Sequence, residues 1–282
     1  MSLKIGFIGA GKMAQALARG LINSGRYPAE QLMASCPKTE VATIEQFKKM
    51  GVKMTDDNTQ IARENEVIIL SVKPMQIGKV TPEIAPHVKQ SHLLISLALG
   101  IRLLSIEQFL PSNSRVVRAM PNTPAVVGAG VTAYTMGSAC QDGDSNLVHN
   151  LFSTVGHSFE TPEIQMDAIG ALSGCGPSYV FSIIEGLADG GVKMGLSREL
   201  SIKLAAMTLY GAAKMVLETG EHPAILKEAV QSPGGSTIRG MHELEKGRMR
   251  SSLINAVEAA AKRSLQMGEA ALLAGGDGGQ RK

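Results

Sequence analysis

The stretch Lys4–Leu21, KIGFIGAGKMAQALARGL, decides how the rest of the chain is interpreted. An apolar run, Ile5–Ile8, leads into a glycine turn, and Met13, Leu17 and Leu21 then recur four apart on one helical face. Strand, glycine turn and helix form the context in which a G-x-G-x-x-A pattern indicates a dinucleotide site. The sequence therefore predicts that the chain opens with a dinucleotide-binding unit.

Each small residue of this turn has a physical task. Gly9 permits the tight turn, Gly11 lets the backbone approach a pyrophosphate, and Ala14 lets the helix sit close to the strand. The first N–H groups of the helix would face the phosphates. We therefore favour NAD(P) or FAD binding over the alternative, a merely tight strand–helix turn.

The composition of the 282 residues limits the classes of protein to consider. Apolar residues make up 44% of the chain, enough for one large domain or two smaller ones. The net charge is only +3 and there is no basic cluster with interleaved aromatic residues, so we expect no nucleic-acid partner. No apolar run approaches the roughly 18 residues of a membrane span, so we expect no membrane segment.

The three cysteines, Cys36, Cys140 and Cys175, are odd in number and far apart. They do not indicate a disulfide framework, which favours a reducing compartment. The N-terminus also lacks the pattern of a targeting leader, and the cytoplasm is the expected location.

Residues 1–162 alternate strand and helix patterns, and helices are expected at Val41–Met50 and Ser105–Leu110, among others. Strands are predicted at Ile5–Ile8, Leu32–Ser35, Val67–Ser71, Leu93–Leu99, Arg115–Met120 and Val131–Thr135. Such βαβ alternation predicts an α/β fold with a parallel, doubly wound sheet. We therefore assign residues 1–162 to a Rossmann NADP-binding domain.

Residues 163–274 show only helical patterns, at Tyr179–Val192, Pro223–Val230 and Ser252–Leu273, for example. We expect an all-helical dimerisation and substrate domain here, followed by a disordered tail at residues 275–282. Helical glycines suggest close helix–helix or subunit contacts, and a methionine group is expected in the core rather than in a ligand pocket. The glycines are Gly186, Gly190, Gly191, Gly195 and Gly211, and the methionines are Met194, Met207 and Met215.

The end of the second strand carries no carboxylate to hold a ribose 2′-hydroxyl. Ser35, the backbone around Cys36, and Lys38 instead offer a small cationic, hydrogen-bonding pocket. This pattern predicts NADPH over NADH, with NADH kept as an alternative donor. The competing interpretation of Lys38 is a solvated surface lysine.

Two further strand ends are expected at the carboxyl edge of the sheet, where open α/β folds bind ligands. Ser71–Pro74 places the charge of Lys73 there, and Met120–Pro124 places Asn122 where its amide could bind the ribose or the nicotinamide. Lys73 as a surface lysine is the alternative interpretation.

The stretch Gln231–Ile238, QSPGGSTI, is the most informative part of the second half. Pro-Gly-Gly forces a turn, and Ser236 and Thr237 can cap a helix whose N-terminus favours a carboxylate. The alternative is an ordinary capped loop. The six histidines have no metal-ligand spacing, so no metal is predicted.

Taken together, these motifs make the chain resemble the pyrroline-5-carboxylate reductase family along essentially its whole length. They are Gly6–Gly11, Val72–Pro74, Pro121–Pro124, Leu172–Pro177, Ala188–Gly195 and Ser232–Thr237. The resemblance implies NAD(P)H-dependent reduction of 1-pyrroline-5-carboxylate to L-proline, the last step of proline biosynthesis. It also implies a homodimer built through the helical domains and, beyond it, a decamer of five dimers.

By position, the resemblance also implies the roles of particular residues. Cofactor contacts are implied at Ala10, Lys12 and Met13 for the pyrophosphate, Cys36, Lys38 and Asn58 for the adenosine, and Val72, Lys73 and Leu99 for the nicotinamide side, in addition to Gly9, Gly11, Ser35 and Asn122 predicted above from the motifs. Glu163, Ser236 and Thr237 are implied as substrate contacts. Thr237 is the expected catalytic donor, with its hydroxyl close to the ring nitrogen.

Cys175, Leu97, Leu99 and Ala229 depart from the family pattern and put individual contacts in doubt. Two other functions stay open at this point. One is a related imine or β-hydroxyacid dehydrogenase, and the other is a non-catalytic NADPH-binding module.

Overall fold

We describe a computed structural model of the chain, which covers residues 3–276. Contacts divide the chain into two compact units. Among the described residues, the first unit, here the sheet unit, comprises those up to Cys175 and those from Ala259 onward, and the second, the helical unit, comprises residues 176–258. The domain boundary at residue 162 stays a prediction; by contacts the sheet unit continues to Cys175 and takes up the described residues from Ala259 onward.

The sheet unit is built on eight strands in the order β3-β2-β1-β4-β5-β6-β7-β8. The strands are β1 Ile5–Ile8, β2 Leu32–Ser35, β3 Lys53–Thr55, β4 Val67–Leu70, β5 Leu93–Ser96, β6 Arg115–Met120, β7 Gly130–Met136 and β8 Gly156–Glu160. All six predicted strands are present, and their order confirms the α/β fold class. The first strand lies inside the sheet, where the strand order reverses, as expected for a dinucleotide-binding fold.

The prediction of an all-parallel sheet is wrong at one pairing, because β7 runs antiparallel to β6. Residues 121–129, which join these two strands, form only a short 3₁₀ turn at Thr123–Val127. A parallel crossover needs a dozen or more residues, so this connection can only turn the chain back. The two strands that sequence reasoning missed, β3 and β8, are the edges of the sheet and are partly exposed. They lack the continuous apolar run of a buried strand.

Helices cover both faces of the sheet. They are α1 Lys12–Asn23, α2 Val41–Lys49, α3 Asn58–Glu64, α4 Ile77–Ile84, α5 Leu103–Glu107, α6 Asp144–Phe152 and α7 Met166–Ile169, followed by a π-helical turn at Gly170–Gly174. One apolar cluster packs Phe7 against Leu17, Phe47 and Phe152. A second cluster packs the other face of the sheet against α3, α4 and α5. This two-sided core fixes the strand ends that form the site.

The helical unit contains α8 Gly176–Lys193, α9 Arg198–Thr219, α10 Pro223–Ala229 and α11 Ser236–Lys246. The last helix, α12 Met249–Gly276, begins in this unit and ends in the sheet unit. Within the described range, no strand follows residue 162, as predicted. Residues 275 and 276 of the predicted tail still belong to α12, and residues 277–282 lie outside the described range.

The helical unit leaves much of its apolar surface uncovered. Gly191 gives the predicted close approach, since a Cβ there would lie 2.7 Å from the Ser201 hydroxyl on α9, whereas a Cβ at Gly186 or Gly211 would meet open space. The prediction that Met194, Met207 and Met215 lie in the core is wrong for the single chain, because all three are exposed. Among the described helices, α9 is long and apolar enough to cross a membrane, which is weak evidence on length and composition alone.

Candidate active site

The glycine turn between β1 and α1 is held by both neighbouring strands. Gly9 donates its N–H to the Ser35 carbonyl at 3.0 Å, and its own carbonyl accepts a hydrogen bond from the Ser71 hydroxyl. Gly9 has a φ of +93°, and a Cβ there would lie 2.9 Å from the Ser71 carbonyl. Only glycine fits this position without strain.

Gly11, in contrast, faces open space, with no atom within 4 Å of the position a Cβ would take. It is the N-cap of α1 and makes no side-chain cap. The backbone N–H groups of Lys12 and Met13 therefore have no partner within the helix and are available to an anion. Ala10 and Ala14 are buried, and Lys12 is exposed beside the turn. The residues present fit the pyrophosphate of a dinucleotide.

A cleft of about 250 Å³ opens at the carboxyl edge of the sheet. It is lined by Met13, Ser71, Val72, Leu97, Met120, Pro121, Asn122, Thr123 and Gly174. The ends of three strands and the start of α1 meet here, as the sequence predicts for Met13, Val72 and Asn122. Leu97 is on this wall, and Leu99 is not; it is half-buried against Gly170. Lys73 is exposed at the start of the neighbouring 3₁₀ turn.

The Asn122 side chain is engaged within the protein. It donates to the Ser173 carbonyl at 3.0 Å and accepts from the Val131 N–H at 2.8 Å. The amide thus joins the start of β7 to the π-helical turn at one wall of the cleft. Positioning of this wall is the role that the structure shows for Asn122, and its predicted contact with the cofactor stays a prediction.

At the adenosine end, the side chains of Ser35 and Cys36 are buried rather than open to a ligand. The Ser35 hydroxyl lies 2.7 Å from Asn58 Oδ1, and Asn58 donates from Nδ2 to Glu83 at 3.0 Å. Burial raises the pKa of the Cys36 thiol, and the charge of Glu40 adds to this effect. Contacts of Ser35 and of the backbone around Cys36 with the adenosine stay predictions, and the role that the structure shows for Ser35 is to hold the half-exposed Asn58 in place.

Glu163 caps a helix in the sheet unit. Its Oε1 accepts from the Leu103 N–H at 2.7 Å, at the start of α5, and lies 3.4 Å from Arg118. Arg118 is buried and also pairs with Asp167 at 3.0 Å, and Asp167 accepts from Ser264 at 2.7 Å. Sequence reasoning missed this network, although an arginine inside the apolar strand RVVRAM was its signal. A substrate contact by Glu163 stays a prediction.

In the helical unit, the turn before α11 presents free donors. Gly234 has a φ of +70°, and the Gly235 N–H donates to the Ser232 carbonyl at 3.0 Å. The predicted capping by Ser236 and Thr237 is wrong, because Gly235 is the N-cap and both residues are already helical. Their side chains are exposed and make no hydrogen bond with the described part of the chain. Hydroxyls and unpaired N–H groups at this helix start can bind a carboxylate.

No group of three His, Cys, Asp or Glu side chains able to hold a metal occurs in the range that the structure describes. The sheet order and the glycine turn at its carboxyl edge define a dinucleotide-binding protein with a helical C-terminal part. A family model described as NADP oxidoreductase, coenzyme F420-dependent, matches residues 4–100. A model for pyrroline-5-carboxylate reductase dimerisation matches residues 163–267.

Full-length relatives identify the family. The chain is 42% identical to an Arabidopsis thaliana pyrroline-5-carboxylate reductase over 95% of its own length and 96% of the relative's. It is 44% identical to pyrroline-5-carboxylate reductase 2 of Homo sapiens, with 94% and 84% covered. A Plasmodium falciparum pyrroline carboxylate reductase solved with NADP bound superposes with a TM-score of 0.87 at 37% identity, covering 94% and 98%. The chain belongs to the pyrroline-5-carboxylate reductase family.

Proposed function

We propose that the chain reduces 1-pyrroline-5-carboxylate to L-proline with NADPH, or with NADH as an alternative donor, in the last step of proline biosynthesis. The observation that carries the proposal is that this member of the family contains both a turn suited to the nucleotide and a turn suited to the substrate carboxylate. One is the glycine turn at the start of α1, and the other is the open, hydroxyl-bearing turn at the start of α11. A generic dinucleotide-binding enzyme requires only the first.

For the cofactor, we propose that Gly9, Ala10 and Gly11, with the N–H groups of Lys12 and Met13, bind the pyrophosphate. Asn58 and Lys38 serve the adenosine, while Val72 and Lys73 serve the nicotinamide side. When bound, NADPH supplies the hydride that the imine carbon of the substrate accepts. The contribution of this chain is to hold the nucleotide against the sheet edge and to shape the wall at Met120 and Asn122.

For the substrate, a cyclic imine that carries a carboxylate, the chain must bind an anion and polarise a C=N bond. We assign the carboxylate to Ser236 and to the first N–H groups of α11. The Thr237 hydroxyl donates a hydrogen bond to the ring nitrogen, which makes the imine carbon more electrophilic. As the carbon gains a hydride, the nitrogen takes the proton of the Thr237 hydroxyl, and solvent water at this exposed turn returns a proton to Thr237.

We also propose that the chain works as a homodimer, in which a second copy covers the exposed apolar side chains of the helical unit. The dimerisation model at residues 163–267 and the exposed face of α9 support this assembly. A decamer of five such dimers follows from the family resemblance alone. The cytoplasm is the proposed compartment, supported by three cysteines without a disulfide partner.

The test is turnover by the purified full chain. Loss of NADPH absorbance is followed with 1-pyrroline-5-carboxylate and, separately, with β-hydroxyacids and oxidised cofactor. We expect reduction of the pyrroline and formation of proline. Turnover of a hydroxyacid alone would indicate the related dehydrogenase, and tight NADPH binding without any turnover would indicate a non-catalytic module. Either result would overturn the proposal.

A further inference from the structure

The ends of β2 and β3 bring two opposite charges to the same edge of the sheet. The strands are parallel, with Ser35 paired to Thr55, and the Cys36 N–H continues the ladder to the Thr55 carbonyl at 3.1 Å. Lys38 and Asp56 follow directly, and their Nζ and Oδ2 atoms lie 3.0 Å apart. The carboxylate that is missing after β2 is therefore supplied by the residue after β3.

Both side chains of this pair are open to solvent, with 82% of the Lys38 side chain and 51% of the Asp56 side chain exposed. An ion pair this exposed contributes little stability and opens readily. It therefore has little value as a structural clamp. Its two charges remain available to a ligand at this edge.

In dinucleotide-binding folds, this edge is where the 2′ position of the adenosine ribose is recognised. An acid there accepts a hydrogen bond from the 2′-hydroxyl of NADH, whereas a cation attracts the 2′-phosphate of NADPH. The chain presents both charges. The 2′-phosphate of NADPH would be attracted by the lysine and repelled by the carboxylate. The 2′-hydroxyl of NADH would bind the carboxylate and gain nothing from the lysine.

The neighbouring polar groups do not discriminate between the two cofactors. Because the Glu83 carboxylate can only accept, Asn58 must direct Nδ2 toward it and Oδ1 toward the Ser35 hydroxyl. Asn58 therefore offers its remaining N–H, a donor that oxygens of both a phosphate and a hydroxyl accept. The nearby Asp57 carboxylate is paired with Arg63 at 3.0 Å. The Glu40 carboxylate, whose charge reaches Cys36, lies at the start of α2, 3.5 Å from the Thr43 hydroxyl. Lys38 and Asp56 are the charges that directly follow the two strand ends, and we assign the discrimination to them.

We infer that Lys38 and Asp56 together set the cofactor preference: Lys38 draws in the 2′-phosphate of NADPH, and Asp56 weakens that attraction and serves the 2′-hydroxyl of NADH. The inference rests on the proposed function only in that the nucleotide occupies the sheet edge. It assigns a specificity role to Asp56, and it predicts that both cofactors bind, with a ratio that single substitutions shift in opposite directions.

The test is direct binding, read from nucleotide fluorescence without substrate, for NADPH and NADH at low and high salt. The variants are Asp56→Asn, Lys38→Gln and the double variant. The matched control is Glu64→Gln, which removes the carboxylate of a similarly exposed pair, Lys53–Glu64 at 2.8 Å, at the other end of β3. Circular dichroism checks that each variant folds.

We expect Asp56→Asn to tighten NADPH binding roughly fivefold, which is the size of one unscreened charge interaction in water. The same variant should weaken NADH binding. Lys38→Gln should weaken NADPH binding roughly tenfold while changing NADH much less, and added salt should shrink this difference. The control should leave the ratio unchanged.

Equal changes in both affinities for Asp56→Asn, or unchanged NADPH binding for Lys38→Gln, would overturn the inference. The proposed reaction would survive that result, since turnover of pyrroline-5-carboxylate is measured separately. Conversely, nucleotide selection with no turnover would overturn the reaction alone. Failure of the wild-type chain to bind either nucleotide would contradict both.

Discussion

The sheet unit and the helical unit bury their apolar side chains to very different degrees. Both faces of the sheet pack into clusters that are closed to solvent, around Phe7, Phe47 and Ile61, for example. Between residues 176 and 258, all of which the structure describes, Ala188 and Ala205 are the buried apolar side chains. The sheet unit can therefore be stabilised by its own core, whereas the helical unit needs a partner surface to bury apolar area.

The same difference extends to the residues proposed to bind the nucleotide and to those proposed to bind the substrate. The nucleotide cleft is preformed, because Gly9, Ser71 and Asn122 are fixed by hydrogen bonds within the sheet unit. The substrate turn at Ser236 and Thr237 is exposed and unbonded in the described chain. Binding of the nucleotide should therefore tolerate loss of the assembly better than turnover does.

The largest expected effect comes from placing a charge on the open apolar surface. Met207 is 63% exposed on α9, and we expect Met207→Glu to abolish the dimer, since burial of an unpaired carboxylate costs several kcal/mol. Met75→Glu is the matched control in the sheet unit, at a methionine that is 86% exposed. Light scattering after gel filtration gives the mass. A dimer that survives Met207→Glu would show that the exposed apolar surface of α9 is not the dimer interface.

The next largest effect is the loss of stability when a buried ion pair is broken, compared with the loss when an exposed one is broken. Arg118→Ala leaves Asp167 buried without its cation, and we expect the free energy of unfolding to fall by about 3–5 kcal/mol. Arg198→Ala, which breaks the exposed pair with Asp189 on the helical unit, should cost less than about 1 kcal/mol. Urea unfolding followed by circular dichroism measures both. Equal losses would show that the buried ion pair contributes no more to the free energy of unfolding than the exposed one.

The substrate turn is tested by Thr237→Ala. Loss of the hydroxyl that polarises the ring nitrogen should lower kcat roughly ten- to a thousandfold, or about 1.4–4 kcal/mol of transition-state stabilisation. Thr237→Ser, which keeps the hydroxyl, should retain most of the rate, and NADPH affinity should be unchanged in both variants. Steady-state kinetics and nucleotide titration separate these outcomes. An unchanged kcat for Thr237→Ala would remove the assigned role.

The smallest effect concerns Glu107 on α5. Burial raises the pKa of its carboxyl, and the charge of Glu163 raises it further. Because the folded state disfavours the charged form, the destabilisation by Glu107 grows as the pH rises from its ordinary pKa of 4.5 to its raised pKa, and it is constant above that. Glu107→Gln should therefore give a small gain in stability at pH 7 that disappears at pH 4. A gain of equal size at both pH values would point to packing instead.

Sequence reasoning was most successful where one local rule decides the structure. The turn at Gly9 and Gly11 and the buried strands each have a strong local pattern, and the structure contains all of them. The edge strands β3 and β8 were missed because half-exposed strands lack a continuous apolar run.

Pairings between distant residues could not be predicted in the same way. Asp56 reaches Lys38, and Arg118 reaches Asp167, only through the register and packing of the sheet unit. Burial also changed the interpretation of Ser35, Cys36 and Asn122, because residue type alone does not reveal whether a polar group is already bonded within the protein.

The most direct test of the account is the transfer of a labelled hydride. The full chain is incubated with 1-pyrroline-5-carboxylate and NADPH that carries deuterium at the transferable position of the nicotinamide, and the proline formed is analysed by mass spectrometry. We predict L-proline that carries one deuterium on the carbon that was the imine carbon. Oxidation of NADPH without deuterium in proline, or no consumption of the pyrroline, would contradict it.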